Sequence, residues 1–399
     1  MSIWKRLRKT SIVVTACKFV FALCSKIPYW KKYIVFESYL GRQYSCNPKA
    51  IYEYLAKQNT SFHMVWSVDK RYVDQFEAHG IPYVKRLSLP WFFCMAKASY
   101  WVTNSRMPLW MEKPRHTSYV QTWHGTPLKK LAQDMEEVYM AETTTKKYKN
   151  NFYYESRKWD YLLSPSAYAT EKFKSAFQFE KEIVEVGYPR NDYLYTHNHS
   201  TYIEGAKKKL GLPLDKKVIL YAPTWRDDQF DETGKYTFDL QLDLAYLQEK
   251  LGEDYIVLLR MHYLVTSDFN LSKYGKFVYD VSKHIDINEL YLLADMLITD
   301  YSSVFFDYAN LRKPIIFYTY DIATYRDKLR GFYLQFEEEA PGPIVMTTEE
   351  VVLAIQGIEQ ERLTNQFATT YEDFYNRYCY VEDGQSSKRV VEKIFFREA

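Results

Sequence analysis

Met296-Leu297-Ile298-Thr299-Asp300-Tyr301-Ser302-Ser303-Val304-Phe305-Phe306-Asp307-Tyr308-Ala309-Asn310-Leu311 passes from a short β-rich apolar run, Met296–Thr299, through a turn into a segment with helical character, Ser303–Leu311. A strand that hands over directly to a helix, repeated along a chain, predicts a parallel sheet covered on both faces. Upstream and downstream of it the same alternation continues. Strands are expected at Lys217–Ala222, Tyr255–Arg260, Lys276–Asp280 and Pro314–Tyr318, with helices near Leu242–Leu251, Ile287–Ala294 and Thr348–Glu361. Before a polar connection near His197–Lys209 the pattern has already run once. There the strands are Tyr33–Phe36, His63–Ser67, Pro82–Lys85, Tyr100–Thr103, Tyr119–Thr122, Tyr161–Leu163 and Ile183–Val186, and the helices are Pro48–Lys57, Trp91–Ala98, Lys146–Arg157 and Ala167–Ala176. The expected fold class is therefore α/β, with two doubly wound, Rossmann-like domains at 33–205 and 206–399 behind a short N-terminal segment, 1–32.

A chain of 399 residues has room for two such domains, and 47% apolar with 26% charged residues is ordinary for a packed protein, which excludes disorder. Thirteen Gly and 14 Pro are too few for a fibrous chain. Of 53 basic residues, eight (Lys5, Arg6, Arg8, Lys9, Lys18, Lys26, Lys31 and Lys32) precede Glu37 with no acid among them, leaving 45 to face 50 acids. A basic end on a slightly acidic body suits an anionic membrane surface rather than nucleic acid. The apolar run Thr10–Cys24, broken by Lys18, is too short for a span of about 20 residues. No small-residue cleavage site follows it, so an amphipathic interfacial helix is expected, with residence at the cytoplasmic face of the membrane. Five dispersed cysteines without a CxxC pair predict neither a disulfide framework nor a zinc site.

In open parallel sheets ligands sit beyond the carboxyl ends of the strands. That rule selects His124, Ser164, Tyr188-Pro189-Arg190, Pro223-Thr224-Trp225-Arg226, His262 and Asp300 to Ser303. His124 is followed by Gly125, Thr126, Lys129 and Lys130, residues that suit close approach of an anion, and a neutral imidazole there can accept a hydroxyl proton. Arg260 and His262 bring a cation and a second imidazole to another strand tip, which fits stabilisation of a transferring phosphoryl group. Ser302 and Ser303 are expected to cap a helix and to leave its first-turn N–H groups for phosphate. Arg330 adds a cation near the same rim. Neither a G-x-G-x-x-G nor a P-loop string occurs. Asp227-Asp228 and the pair His197 and His199 are read as solvated, and no metal is assigned.

At these residues the chain resembles the CDP-glycerol glycerophosphotransferase family of wall teichoic acid synthesis in Gram-positive bacteria. The resemblance is carried by Gln121–Lys130, Gly187–Asp192, Tyr221–Asp228, Arg260–Tyr263, Thr299–Asp307 with Lys313–Tyr318, and Arg330–Val345, in that order. It implies a GT-B-like pair of domains facing a cleft, with the nucleotide mainly on the second. It also implies transfer of glycerol phosphate from CDP-glycerol to a lipid-linked polyprenyl diphosphate acceptor, with release of CMP and no cofactor. The family's motif histidines correspond to His124 and His262, and its donor-binding positions to Arg226, Arg260, Asp300, Ser302 and Ser303. Gly125, Thr126, Lys129, Arg190, Thr224 and Arg330 complete the expected substrate contacts. The chain departs from the family pattern after the lysine pair, where Leu131-Ala132-Gln133 stands in place of an expected glycine. A CDP-ribitol or capsule phosphotransferase, a nucleotide-sugar glycosyltransferase and a silent subunit of an assembly complex are the alternatives, and self-association stays open.

Overall fold

The computed structural model describes residues 11–58, 60–138, 143–224, 226, 239–261, 270–284, 286–326 and 331–396. The first sheet holds β1 (Trp30–Glu37), β2 (His63–Val68), β3 (Tyr83–Lys85), β4 (Ala98–Thr103), β5 (Ser118–Gln121), β6 (Tyr161–Ser164) and β7 (Glu182–Glu185) in the order β3-β2-β1-β4-β5-β6-β7. The second holds β8 (Lys217–Ala222), β9 (Tyr255–Leu259), β10 (Val278–Asp280), β11 (Met296–Thr299), β12 (Ile315–Tyr318) and β13 (Ile344–Val345) in the order β10-β9-β8-β11-β12-β13. Every strand pairing within the two sheets is parallel, with Phe36 opposite both Trp66 and Val102 in the first sheet and Ile298 opposite Tyr221 and Ile316 in the second. These central positions are fully buried, as β-branched and aromatic runs covered on both faces require.

In each sheet the strand order reverses once, between β1 and β4 and between β8 and β11. The crevices beyond these reversals are where a doubly wound sheet binds its ligand, and both open toward the other domain.

Three features differ from the sequence expectation. The polar connection is mostly a helix, Ser200–Lys209, whose N-terminus is capped by the His199 side chain accepting from the Tyr202 N–H. The second domain does not keep the rest of the chain: after helix Arg362–Tyr378 the polypeptide returns to the first domain as helix Ser386–Ile394. Val390, Val391, Ile394 and Phe395 share a core there with Ile34, Phe36, Ile51 and Tyr100. The boundary at 206–399 is corrected accordingly, because four apolar side chains at helical spacing are buried against the first sheet. Lastly, the N-terminal segment is no separate unit. Its helix Ser11–Ser25 packs on helix Leu89–Lys97, Phe21 and Cys24 are buried beside Phe92 and Trp101, and β1 already begins at Trp30.

Candidate functional site

A cleft of about 1120 Å³ lies between the two sheets, and His124, Lys129, Arg190, Thr224, Arg260, Ser302 and Ser303 all line it. His124 is presented by strained backbone. Trp123, just past β5, has φ 52°, and this left-handed turn is fixed by Gln121 Oε1 accepting from the Trp123 N–H at 3.0 Å. Asn47 Nδ2 donates to the carbonyls of Thr122 and Trp123, so the turn is held from two sides. The imidazole stacks on the Trp123 ring and its Nδ1 lies 2.7 Å from the Asn104 carbonyl oxygen. A carbonyl only accepts, so Nδ1 carries the proton and Nε2 keeps its lone pair in the neutral ring. Although open to solvent within the cleft, the ring is surrounded by protein that disfavours its charged form. Arg190 and Arg106 repel a second positive charge, and the pKa falls below the ordinary imidazole value.

The second domain meets this histidine closely. A Cβ on Gly125 would stand 2.7 Å from Ser303 Oγ, which shows how near the β5 exit comes to the β11 exit. Ser302 and Ser303 are half-buried, and Ser303 precedes the short helix Val304–Tyr308 without a side-chain capping bond. The capping expected from sequence is therefore not made, and no helix N–H occupies the Ser303 hydroxyl. Thr224 follows β8; its N–H donates to Asp300 Oδ1 at 2.8 Å while its own buried Oγ1 has no partner.

Arg226 and Asp300, expected to grip the donor, are engaged elsewhere. Arg226 is 1% exposed and donates to Asp300 Oδ2, to both Asp321 oxygens and to the Tyr320 hydroxyl, with Tyr301 and Tyr325 rings against it. This is a correction to the sequence reading: the pair braces the β8 and β11 exits against each other. Arg260 lines the cleft, yet its Nη1 donates to the carbonyls of Val281, Ser282 and His284, fastening the loop after β10. Thr126 is buried, and Lys129 donates to the Tyr325 hydroxyl at 2.9 Å. His262, Arg330, Trp225 and Asp227-Asp228 lie outside the described residues. Among the described residues no group of three or more His, Cys, Asp or Glu side chains is placed to hold a metal ion.

Arg190 does more than face the cleft. Its guanidinium Nη2 meets both Asp307 oxygens at 3.0 and 2.7 Å, and Asn191 Nδ2 donates to Asp307 Oδ1 and to Glu382 Oε2. Glu382 Oε1 also accepts from the Tyr188 N–H at 2.9 Å. This buried network ties the first domain to helix Val304–Tyr308 of the second. Burial and the neighbouring Asp307 charge push the Glu382 carboxyl up to about 8. A second tie is an antiparallel bridge between Lys129 and Phe332, with the Lys130 N–H donating to the Gly331 carbonyl at 2.8 Å. Just beyond it, where a glycine was expected, Ala132 has φ 43°, the left-handed backbone that favours glycine.

The exits of β1 and β4 also face the cleft, beyond the positions selected above. Arg42, Asn104 and Arg106 stand there, and the strand-end rule applied to these two strands would have found them.

Two facing doubly wound sheets, whose strand exits converge on one cleft, define a GT-B-like architecture. The profile of the CDP-Glycerol:Poly(glycerophosphate) glycerophosphotransferase family matches residues 19–396, and the chain belongs to that family. It is 54% identical over 390 residues to the teichoic acid poly(glycerol phosphate) polymerase of Bacillus subtilis strain 168, covering 98% of this chain and 52% of that relative, about half its length. It is 46% identical over 393 residues to the teichoic acid glycerol-phosphate transferase of Staphylococcus aureus strain NCTC 8325, with 98% of both chains covered. A solved structure of the wall teichoic acid polymerase TagF, a histidine variant soaked with CDPG, superposes with a TM-score of 0.86 at 42% identity. The superposition covers 96% of this chain and 94% of that one.

Proposed function

We propose that the protein is a CDP-glycerol glycerophosphotransferase of wall teichoic acid synthesis that extends a lipid-linked acceptor already ending in glycerol phosphate. The observation that carries this reading is the juxtaposition of His124, its Nε2 unprotonated, with the Thr224 and Ser302/Ser303 exits of the second sheet. In the reaction the acceptor's terminal hydroxyl attacks the β-phosphorus of CDP-glycerol, forming a P–O bond as the bridging P–O bond to CMP breaks. His124 Nε2 takes the hydroxyl proton. The hydroxyls of Thr224, Ser302 and Ser303 donate to the phosphoryl oxygens as charge develops on them. His262 and Arg330 are assigned to the departing CMP on the resemblance alone. The extending role rests on the polymerase and transferase relatives.

Purified protein incubated with CDP-glycerol and lipid-linked disaccharides, with and without one glycerol phosphate, tests this by mass spectrometry. Addition of glycerol phosphate units to the primed acceptor is the expected outcome. Transfer from CDP-ribitol or a UDP-sugar, with none from CDP-glycerol, would replace the donor in this reading.

The acceptor is presented at a membrane, and the N-terminal helix supplies a docking face. Ile12, Phe19 and Leu23 on it, with Leu89 and Phe93 on the helix it packs against, are exposed apolar side chains, and Lys18, Lys26, Lys31 and Lys32 flank them. No helix of the described residues is long and apolar enough to cross a membrane. This is the pattern of a peripheral, interfacial attachment at the cytoplasmic face. Because Phe21 and Cys24 belong to the core, the informative variant is the triple substitution of Ile12, Phe19 and Leu23 by serine, not deletion. It should sediment less with anionic vesicles, by about tenfold or more for three lost side chains, with unaltered melting. Unchanged vesicle binding would reject the attachment.

A further inference from the structure

The exits of β1 and β4 carry three donors with no acceptor, two of them, on Arg42 and Arg106, in residues that line the cleft. Arg42 follows the exit of β1, and its buried Nε has no partner. Asn104, the first residue past β4, is fully buried; its Oδ1 accepts from the Tyr39 N–H at 2.8 Å and from the Ser105 hydroxyl, while its Nδ2 has no partner. Arg106 lies two residues further on, half-buried with its guanidinium 3.9 Å from the centre of the Phe152 ring, and no carboxylate or carbonyl of the described residues pairs with it. The nearby Glu155 carboxyl is turned to other work, accepting from the Met107 N–H and the Tyr119 hydroxyl. Arg42 and Arg106 both line the cleft on the His124 side.

Enclosed cations and amide donors without acceptors are costly unless a ligand supplies the acceptor. The missing group is an anion with several oxygens. Its place is set by the base: His124 must touch the attacking hydroxyl of the acceptor, and in a glycerol phosphate terminus a three-carbon glycerol separates that hydroxyl from a phosphodiester. A cationic crevice on the same domain as His124, beside it but on other strand exits, fits that second group. The donor's phosphates belong across the cleft, with Thr224 and the serines.

We propose that Arg42 and Arg106 form a subsite for the acceptor's terminal phosphodiester, with Arg106 as the specificity-determining cation. This rests on the glycerophosphotransferase reading above and names the acceptor contact within it. An acceptor that ends in glycerol phosphate fills the subsite, and a bare disaccharide lipid leaves it empty.

The test compares wild type, Arg106→Gln, Arg106→Lys and Arg42→Gln on the primed and unprimed acceptors, after thermal melts confirm folding. Losing a charge-assisted contact of this kind should lower kcat/KM for the primed acceptor about 10–100-fold. The preference for that acceptor should collapse, the KM for CDP-glycerol should stay within about twofold, and Arg106→Lys should recover part of the loss. A raised KM for CDP-glycerol, or an equal fall on both acceptors, would overturn the assignment. If wild type transfers nothing from CDP-glycerol, the functional reading fails separately, and calorimetry with glycerophosphoglycerol decides the subsite. Binding to wild type that Arg106→Gln and Arg42→Gln lose supports it; equal binding by all three, or no binding, rejects it.

Discussion

Replacing His124 by alanine should lower turnover about 10²–10⁴-fold, the usual worth of a positioned general base, while CDP-glycerol binding survives. On the proposed assignment, in which the imidazole takes the acceptor proton and the other sheet holds the donor, the loss is expected in kcat. The pH profile offers an independent check. Burial in the cleft and the Arg190 and Arg106 charges lower the pKa of His124, so the reactive neutral ring is the form present above that lowered value. The wild-type rate should therefore stay level as pH falls through about 6.5, the ordinary imidazole pKa, and decline only in stronger acid. A variant with full activity, or an acid limb centred above 6.5, would remove His124 from the role.

Asp307→Ala should destabilise the protein by about 3–5 kcal/mol, since it leaves a buried guanidinium without its counterion. The side chains of Arg190 and Asp307 are only 9% and 6% exposed, so the guanidinium loses its counterion in a largely desolvated place. Denaturant titration measures this, and a change below about 1 kcal/mol would show that the pair is dispensable. Glu382→Gln should behave in the opposite way. The folded-state pKa of Glu382 is raised, to about 8, so the native protein holds a proton that the unfolded chain releases from about pH 4.3 upward. Wild-type stability thus includes a contribution that is complete in acid and lost as pH rises through 8. Glutamine, which does not titrate, should flatten that dependence between pH 5 and 8.5.

How the chain records this arrangement varies from element to element. β8 and β11 have the very bounds read from the sequence, because Val218–Ala222 and Met296–Ile298 are unbroken apolar runs buried on both sides. β13, two residues long, carries too little pattern to be seen. Helix Ser386–Ile394 was missed because its apolar residues, Val390, Val391 and Ile394, are few and sit among charges, and nothing local says which sheet they cover. Strand-end reasoning reached His124, Thr224 and the serines. It also reached Arg226, which the fold surrounds with Asp300, Asp321 and three tyrosine rings contributed by distant positions. Whether an arginine faces a ligand or a carboxylate is decided by such long-range neighbours, and a single sequence does not encode them locally.

The return of the chain to the first domain also sets an order of events during synthesis. Residues 30–196 leave the ribosome with every strand of the first sheet, yet Val390, Val391, Ile394 and Phe395, which close one face of its core, follow about 190 residues later. At the ~5–20 residues per second typical of translation, that is a wait of about 10–40 s with an open apolar face. The second domain, whose strands all lie between Lys217 and Val345, can finish first. Of the two sheets, the one that emerges first is thus the one whose core is closed last.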